Sequence, residues 1–219
     1  MALGSDSLDA AWQDADRMLG ELFMMGFEGH TVTPQIRKLI QEHHIGSILL
    51  TAKNLKSAEQ TTQLVLELQQ CAHDAGHAVP LLIGIDQENG GVNSLFDDIY
   101  IRQYPSAMGL AATGSRELAY EVAKATAQEI SACGINIILG PCLDVLTNAR
   151  NQPLGVRTSG DDPQEVSSYG IASMNGYKEA GLATMGKHFP SYGSLEFLGS
   201  ALDVPTITES LEQLSLNAL

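Results

Sequence analysis

Short apolar runs alternate with helical patterns along almost the whole chain, and this alternation constrains the fold more than any other feature. Between successive runs, apolar residues recur at the three-to-four-residue spacing of helices that pack on a core. The runs have the length of buried strands and lie at residues 22–27, 48–50, 81–85, 135–139 and 182–186. Repeated strand–helix units of this kind form a parallel sheet covered by helices. The sequence therefore predicts one α/β domain over residues 1–219.

Capping residues predict where the helices begin. Ser57 with Gln60 has the pattern of a capping box ahead of one helix. Asp162 precedes Pro163 and Glu165, which combines a cap residue, a first-turn proline and a capping-box glutamate. Both stretches predict a helix that follows directly on a loop.

Polar side chains come directly after several of the predicted strands, and this decides between two sheet forms. An open doubly wound sheet has little support, because the sequence contains neither GxGxxG nor a P-loop. A barrel gathers the carboxyl ends of all its strands into one mouth. The polar groups in question are Lys53 and Asn54, Asp86 to Glu88, Asp144, and Lys187 with His188. We therefore expect a (β/α)8 TIM-barrel type of fold, incomplete here, with about five βα units.

Charge and cysteine content exclude some classes of function. The chain has 12 Lys and Arg against 26 Asp and Glu, a formal charge of −14. Nucleic acids and anionic membranes need a basic surface, so neither is expected as a partner. Cys71, Cys133 and Cys142 are single and lie among apolar residues, which predicts buried thiols rather than disulfides or a metal site. No signal peptide is visible at the N-terminus, which favours a cytoplasmic location.

Two motifs together resemble glycoside hydrolase family 3, and more narrowly its β-N-acetylglucosaminidase branch. The stretch from Asp86 to Val92, DQENGGV, is similar to the DQEGGRV motif of that branch. The stretch from Lys187 to Gly193, KHFPSYG, is similar to its KHFPGHG motif. Three further stretches agree in order, namely Lys53-Asn54, Pro141 to Val145, and Gly155 to Thr158.

The resemblance implies a sugar-binding role for four residues. Asp86 would accept hydrogen bonds from sugar hydroxyls, while Arg157, Lys187 and His188 would donate to sugar oxygens. Such charge-assisted hydrogen bonds are roughly twice as strong as neutral ones.

Two other acidic residues near these motifs are expected to have structural roles. Asp144 would hold backbone amides, as an aspartate in a loop commonly does. Glu88 would form bonds across the barrel mouth.

The general acid is a departure from the family pattern. The branch carries an Asp-x-His pair on the loop after KHFPGHG, but residues 191–205 contain no histidine. The carboxylates of this loop are Glu196 and Asp203. Glu196 lies nearer the loop tip and is the candidate acid/base, because glycoside hydrolysis needs a carboxyl that protonates the leaving oxygen.

Other family residues have no counterpart. Gly91 and Ser94 stand where the family has arginines, and Arg102 is one possible substitute. The family's nucleophilic aspartate belongs to a later strand and does not occur in these 219 residues. Residues 1–219 are therefore expected to be the N-terminal portion of a longer catalytic barrel.

The function implied by the resemblance is retaining hydrolysis of terminal β-linked N-acetylglucosamine from small glycosides or oligosaccharides, without metal or organic cofactor. The full-length domain would carry it, and the isolated chain is expected to be inactive. A β-glucosidase or β-xylosidase of the same family, or a non-catalytic sugar-binding fragment, are the alternatives. The open barrel edges also predict possible self-association.

Overall fold

The structure, a computed structural model, describes residues 15–150, 153–192, 207 and 209–217. Its seven strands are Met24–Gly26 (β1), Ser47–Leu50 (β2), Leu82–Ile85 (β3), Gln87–Asn89 (β4), Val92–Asn93 (β5), Ile137–Ile138 (β6) and Ala183–Thr184 (β7). The helices are residues 15–21 (α1), Pro34–His43 (α2), Ala58–Asp74 (α3), Ala107–Ala111 (α4), Arg116–Ser131 (α5), Pro163–Glu179 (α6) and Leu211–Asn217 (α7). A short 3-10 helix spans Gly155–Arg157.

Five of the strands form a parallel sheet in the order β1-β2-β3-β6-β7. The register pairs Ile48 with Ile83, and Ile85 with Ile138. Each strand lies beside the one before it in the chain, apart from the hairpin of β4 and β5. A doubly wound sheet would reverse direction at a switch point, whereas a barrel adds its strands in sequence. The order confirms the barrel-type expectation, with a barrel that does not close among the described strands.

The core lies between this sheet and the helices. Ile48, Leu50, Ile83 and Ile85 of the central strands are completely buried. Helical aliphatic residues pack against them, among them Ile36, Ile40, Leu64, Leu68, Ala127 and Ile130. All three cysteines are buried and free, as predicted. Among the described residues, no helix combines the length and the apolar character needed to cross a membrane.

The predicted caps are present, but the capping boxes are only half formed. The Ser57 hydroxyl accepts from the Gln60 amide at 3.2 Å, yet the Gln60 side-chain oxygen accepts from Lys56 rather than from Ser57. The Asp162 carboxylate accepts from the amides of the second and third helical residues at 2.8 and 2.9 Å. The Glu165 carboxylate does not return to Asp162, because it is paired with Arg116 at 2.7 Å.

The two outer strands are more exposed than their apolar sequences predict. Leu22 and Phe23 precede the shortened β1 and are 80% and 55% exposed. Next to β7, Leu182 is buried but Met185 is 43% exposed. These residues are exposed because β1 and β7 each pair on one side only among the described residues, as expected for the open edges of an incomplete barrel.

Helices α5 and α6 touch through a glycine. A Cβ atom on Gly176 would lie 2.3 Å from the Tyr120 carbonyl oxygen and 2.9 Å from the Lys124 nitrogen. The missing side chain therefore lets the backbones of α5 and α6 approach closely.

Candidate functional site

Polar side chains from three loops converge at the carboxyl ends of the strands. We call this cluster of Asp86, Glu88, Asp144, Arg157, Lys187 and His188 the mouth. Asp86 follows β3, Arg157 lies in the loop after β6, and Lys187 and His188 follow β7. Parallel strands end at one edge of a sheet, so these loops meet although they are far apart in sequence. A cis peptide bond joins Lys187 to His188.

Glu88 connects two cations at the centre of the mouth. Its carboxylate accepts from Nε and Nη2 of Arg157 at 2.8 and 2.9 Å, and lies 2.6 Å from Nζ of Lys187. Lys187 also donates to Asp86, and Arg157 donates to the Pro153 carbonyl at 2.8 Å. Glu88 was expected to bond across the mouth, and these contacts confirm it. Arg157 therefore faces inward, rather than pairing with surface carboxylates such as Asp161.

Asp144 organises the turn that carries His188. Its side chain is fully buried and accepts from the backbone amides of His188 and Tyr192, at 2.9 and 2.8 Å. It also lies 2.7 Å from Nδ1 of His188 and 3.4 Å from Sγ of Cys142. The expectation that Asp144 holds backbone amides is confirmed. Its bond to the imidazole ring was missed, because sequence spacing does not show contacts across 44 residues.

Hydrogen bonds keep the buried carboxylates ionised. Burial alone raises the pKa of Glu88, but the hydrogen bonds from Arg157 and Lys187 outweigh burial and leave its pKa below the ordinary value. The pairing with Glu88 raises the pKa of Arg157. Burial also opposes ionisation of Asp144, yet donation from His188 and from the Tyr192 amide leaves its pKa lowered.

The charges of the mouth almost balance. Its carboxylates are Asp86, Glu88 and Asp144, and its cations are Lys187 and Arg157, so one negative charge remains when His188 is neutral. Each of these charged groups has a partner within hydrogen-bond distance. The mouth is therefore pre-organised for a ligand whose groups both donate and accept hydrogen bonds.

Three metal-ligand types also meet here. Within the part of the chain that the structure describes, one group of potential metal ligands has its ligand atoms within 4.8 Å of one another. The group consists of the Cys142 thiol, the Asp144 carboxylate and the His188 imidazole. These groups already bond to one another. Burial raises the pKa of the Cys142 thiol to about 12, which disfavours the thiolate that a metal would need. The expectation of no metal remains a prediction.

Asn54 and Arg102 occupy structural positions outside this network. Asn54 is completely buried and donates to the carbonyls of Phe27 and Gly29, both at 2.9 Å, which ties the loops after β1 and β2 together. Arg102 has a side chain that is 79% exposed and lies 3.8 Å from Glu129. It is therefore not placed to replace the arginines that positions 91 and 94 lack.

The candidate general acid is not located. Glu196 and Asp203 both lie outside the described residues, so the acid/base role of Glu196 stays a prediction. The described segment ends at Tyr192, whose ring packs edge-on against His188 at 4.6 Å between centroids. Residues 193–206 therefore follow directly from the mouth in the sequence.

The chain has a βα barrel-type fold with charged groups at the carboxyl ends of its strands. This places it in the class of α/β barrel domains, whose active sites lie at that end. The family model described as "Glycosyl hydrolase family 3 N terminal domain" matches residues 15–219. The chain therefore belongs to glycoside hydrolase family 3.

Curated relatives agree with the family. A β-hexosaminidase from Alkalilimnicola ehrlichii is 33% identical over 187 residues, which cover 81% of this chain and 50% of that protein. β-Hexosaminidase A from Pseudoalteromonas piscicida is 31% identical over 166 residues, covering 74% of this chain and 28% of that protein. The chain thus spans half or less of the length of these two relatives.

Solved structures share the fold. A family 3 β-N-acetylglucosaminidase from a Paenibacillus species has a TM-score of 0.84 at 37% identity, over 92% of this chain and 38% of that one. NagZ from Neisseria gonorrhoeae, in complex with N-trifluoroacetyl-D-glucosamine, has a TM-score of 0.76 at 27% identity, over 89% of this chain and 57% of that one. Both similarities agree with the predicted α/β barrel type.

Proposed function

We propose that the full-length protein is a retaining β-N-acetylglucosaminidase, and that residues 1–219 form the N-terminal part of its catalytic TIM barrel. One observation carries the proposal: Asp86, Arg157, Lys187 and His188, from three separate loops, meet in one hydrogen-bonded network at the mouth. The curated relatives named β-hexosaminidase support the reaction class. The N-acetylglucosamine derivative bound by the gonococcal NagZ supports the choice of sugar.

A sugar hydroxyl suits this network because it donates and accepts at once. Lys187 and Asp86 are in direct contact, so a hydroxyl near both can donate to the carboxylate and accept from the ammonium. Arg157 keeps its planar group fixed on Glu88, and Nη2 also reaches His188 at 3.1 Å. Substrate binding would then need little rearrangement of charged groups, which favours affinity.

We further propose that the 219-residue chain by itself does not hydrolyse glycosides. Retaining hydrolysis needs two carboxyl groups about 5–5.5 Å apart that flank the scissile bond. The described carboxylates of the mouth, Asp86, Glu88 and Asp144, are each engaged by a cation, an imidazole or backbone amides. None of the three is placed as a nucleophile that is free to attack.

The proposed function is tested with p-nitrophenyl β-glycosides of N-acetylglucosamine, glucose and xylose. The full-length protein should have its highest kcat/KM on the N-acetylglucosaminide and release the β-anomer first, as followed by proton NMR. A preference for the glucoside or the xyloside would move the assignment to another branch of the family. No turnover of any of the three would favour a non-catalytic sugar-binding protein.

Glu196 is proposed as the acid/base of this reaction, with Asp203 as the matched control. Glu196→Gln in the full-length protein should reduce turnover of substrates with poor leaving groups by roughly a hundredfold or more. Substrates with good leaving groups need less protonation and should lose much less, and added azide should restore part of the rate. Equal losses on both substrate types without azide rescue, or the same pattern in Asp203→Asn instead, would remove Glu196 from this role.

Self-association through the outer strands is also proposed for the 219-residue chain. Leu22, Phe23 and Met185 are exposed beside β1 and β7, and exposed apolar strand edges favour pairing with other chains. Sedimentation at rising concentration should show a mass that increases. A monomeric mass at all concentrations would contradict it.

A further inference from the structure

Within residues 15–150 and 153–192, the Asp144 carboxylate contacts hydrogen-bond donors only. Its four partners there are the amides of His188 and Tyr192, the Cys142 thiol, and Nδ1 of His188. The side chain is fully buried, so water does not compete for its oxygens. A carboxylate in these surroundings accepts every bond, and the 2.7 Å contact therefore requires a proton on Nδ1 of His188.

The opposite nitrogen of the same ring has the complementary requirement. Nε2 of His188 lies 3.1 Å from Nη2 of Arg157, and a guanidinium group can only donate. Nε2 must therefore present its lone pair to Arg157. The two neighbours together require the neutral imidazole with its single proton on Nδ1.

We propose that Asp144 is a positioning residue that fixes His188 in the Nδ1-H tautomer, so that Nε2 faces the mouth as a hydrogen-bond acceptor. The part of this inference that concerns a sugar rests on the proposed function. Nε2 has a single lone pair, so a sugar hydroxyl that replaces the Arg157 contact would donate to His188, which is the reverse of the direction that the sequence predicted. The tautomer itself is a property of the free protein.

Asp144, rather than Arg157, is the dominant partner of the ring. The Asp144 contact is 2.7 Å and is made by a buried charge, whereas the Arg157 contact is 3.1 Å. The guanidinium is already fixed by two bonds to Glu88 and one to Pro153. Asp144 also holds the backbone amide of His188, so it determines the position of the residue as well as the orientation of its ring.

The test is an NMR measurement of the His188 ring in the free full-length protein labelled with 15N-histidine. Long-range proton–nitrogen correlations distinguish a protonated from an unprotonated ring nitrogen, and His188→Gln identifies which signals belong to this residue. We expect Nδ1 to be protonated and Nε2 to be unprotonated. An Nε2-H tautomer, or rapid exchange between the two forms, in the wild-type protein would overturn the proposal without any need for a variant.

Variants then separate the two partners. Asp144→Ala should raise the share of the Nε2-H form from near zero to a measurable fraction, because the ring loses its acceptor at Nδ1 and keeps only the weaker Arg157 contact at Nε2. Cys142→Ala removes the weakest donor to Asp144, and Arg157→Met removes the other ring contact; both should leave the Nδ1-H form in place. Loss of the Nδ1-H form in Arg157→Met would transfer the positioning role from Asp144 to Arg157.

A kinetic measurement separates this inference from the proposed function. In the full-length protein, Asp144→Asn should raise KM about tenfold or more with a smaller change in kcat, because it disturbs a group that binds the sugar. An Nδ1-H tautomer in a wild-type protein that hydrolyses no glycoside would sustain the positioning role and refute the proposed function. An Nε2-H tautomer in an active enzyme would refute the positioning role and sustain the proposed function.

Discussion

Glu88 and Arg157 are separated by 69 residues in the sequence, yet two parallel hydrogen bonds of 2.8 and 2.9 Å join their side chains. The Glu88 side chain is 6% exposed and the Arg157 side chain 16% exposed. Paired planar groups of this kind combine charge with fixed geometry. This pair therefore joins β4 to the loop after β6, and Lys187 adds the segment after β7.

Replacing Glu88 by glutamine should strongly destabilise the fold. The change removes the negative charge that Arg157 and Lys187 share in a buried site. Loss of one partner of a buried ion pair costs about 3–5 kcal/mol. The free energy of unfolding in urea measures the effect. Glu165→Gln is the matched control, because the Arg116–Glu165 pair is about half exposed and should be worth about 0–1 kcal/mol. Equal losses in both variants would contradict the central place of Glu88.

Stability should fall in acid because Glu88 and Asp144 have lowered pKa values. The ordinary values are 4.5 and 3.8, and the folded values lie below them. The unfolded chain therefore binds protons first as the pH falls. The stabilisation is complete above about pH 4.5 and is lost as the pH falls through the folded values.

The pH dependence is measured from urea unfolding at a series of pH values below 6. Glu88→Gln should show a shallower loss of unfolding free energy with falling pH than the wild-type protein. Glu165→Gln, which removes an exposed carboxylate, should retain the wild-type slope. An unchanged slope in Glu88→Gln would show that this carboxylate is not held ionised by its partners.

Gly176→Ala should destabilise the chain although alanine favours helices. The new Cβ would lie 2.3 Å from the Tyr120 carbonyl oxygen, so α5 and α6 would have to separate. Overpacking of this kind costs about 1–3 kcal/mol. Gly109→Ala is the control, since its nearest neighbours would be 3.5 Å away and the change should be neutral or gain up to about 1 kcal/mol. Equal melting temperatures for the two variants would contradict the close contact.

The sequence predicts the parts of this site that depend on local pattern. Apolar runs place Asp86 and Lys187 directly after strands, and parallel strands bring such residues to one edge. The Asp162 cap is likewise found, because its bonds are made within three residues. Local rules of this kind are enough to give the fold class and the group of candidate residues.

Contacts between distant elements are not visible in the sequence. The return of Glu165 to Asp162 was expected from spacing, but Arg116, 49 residues away, competes for that carboxylate. The hairpin of β4 and β5 was missed, because Gln87, Glu88 and Asn89 have none of the β-branched or aromatic residues that mark strands. The exposure of Met185 depends on which strands pair beside β7.

The same limit applies within the site. Residue types indicate that Asp144 and His188 are polar groups near the mouth, but only the geometry shows that one holds the ring of the other at 2.7 Å. The donor or acceptor state of His188 follows from its two neighbours rather than from its position in the motif. Roles in a hydrogen-bond network are therefore assigned from the structure.

The account depends most on the claim that the mouth binds a sugar through Asp86 and its partners. The most direct measurement is the Kd of the full-length protein for N-acetylglucosamine, obtained by calorimetric titration of the wild-type protein, Asp86→Asn and the exposed control Asp161→Asn. Hydrogen bonds to a charged group contribute about 1.5–3 kcal/mol, which corresponds to roughly ten- to a hundredfold in affinity. We expect Asp86→Asn to weaken binding by at least about tenfold, with Asp161→Asn unchanged. A Kd that is the same in all three proteins would contradict the assignment of this site.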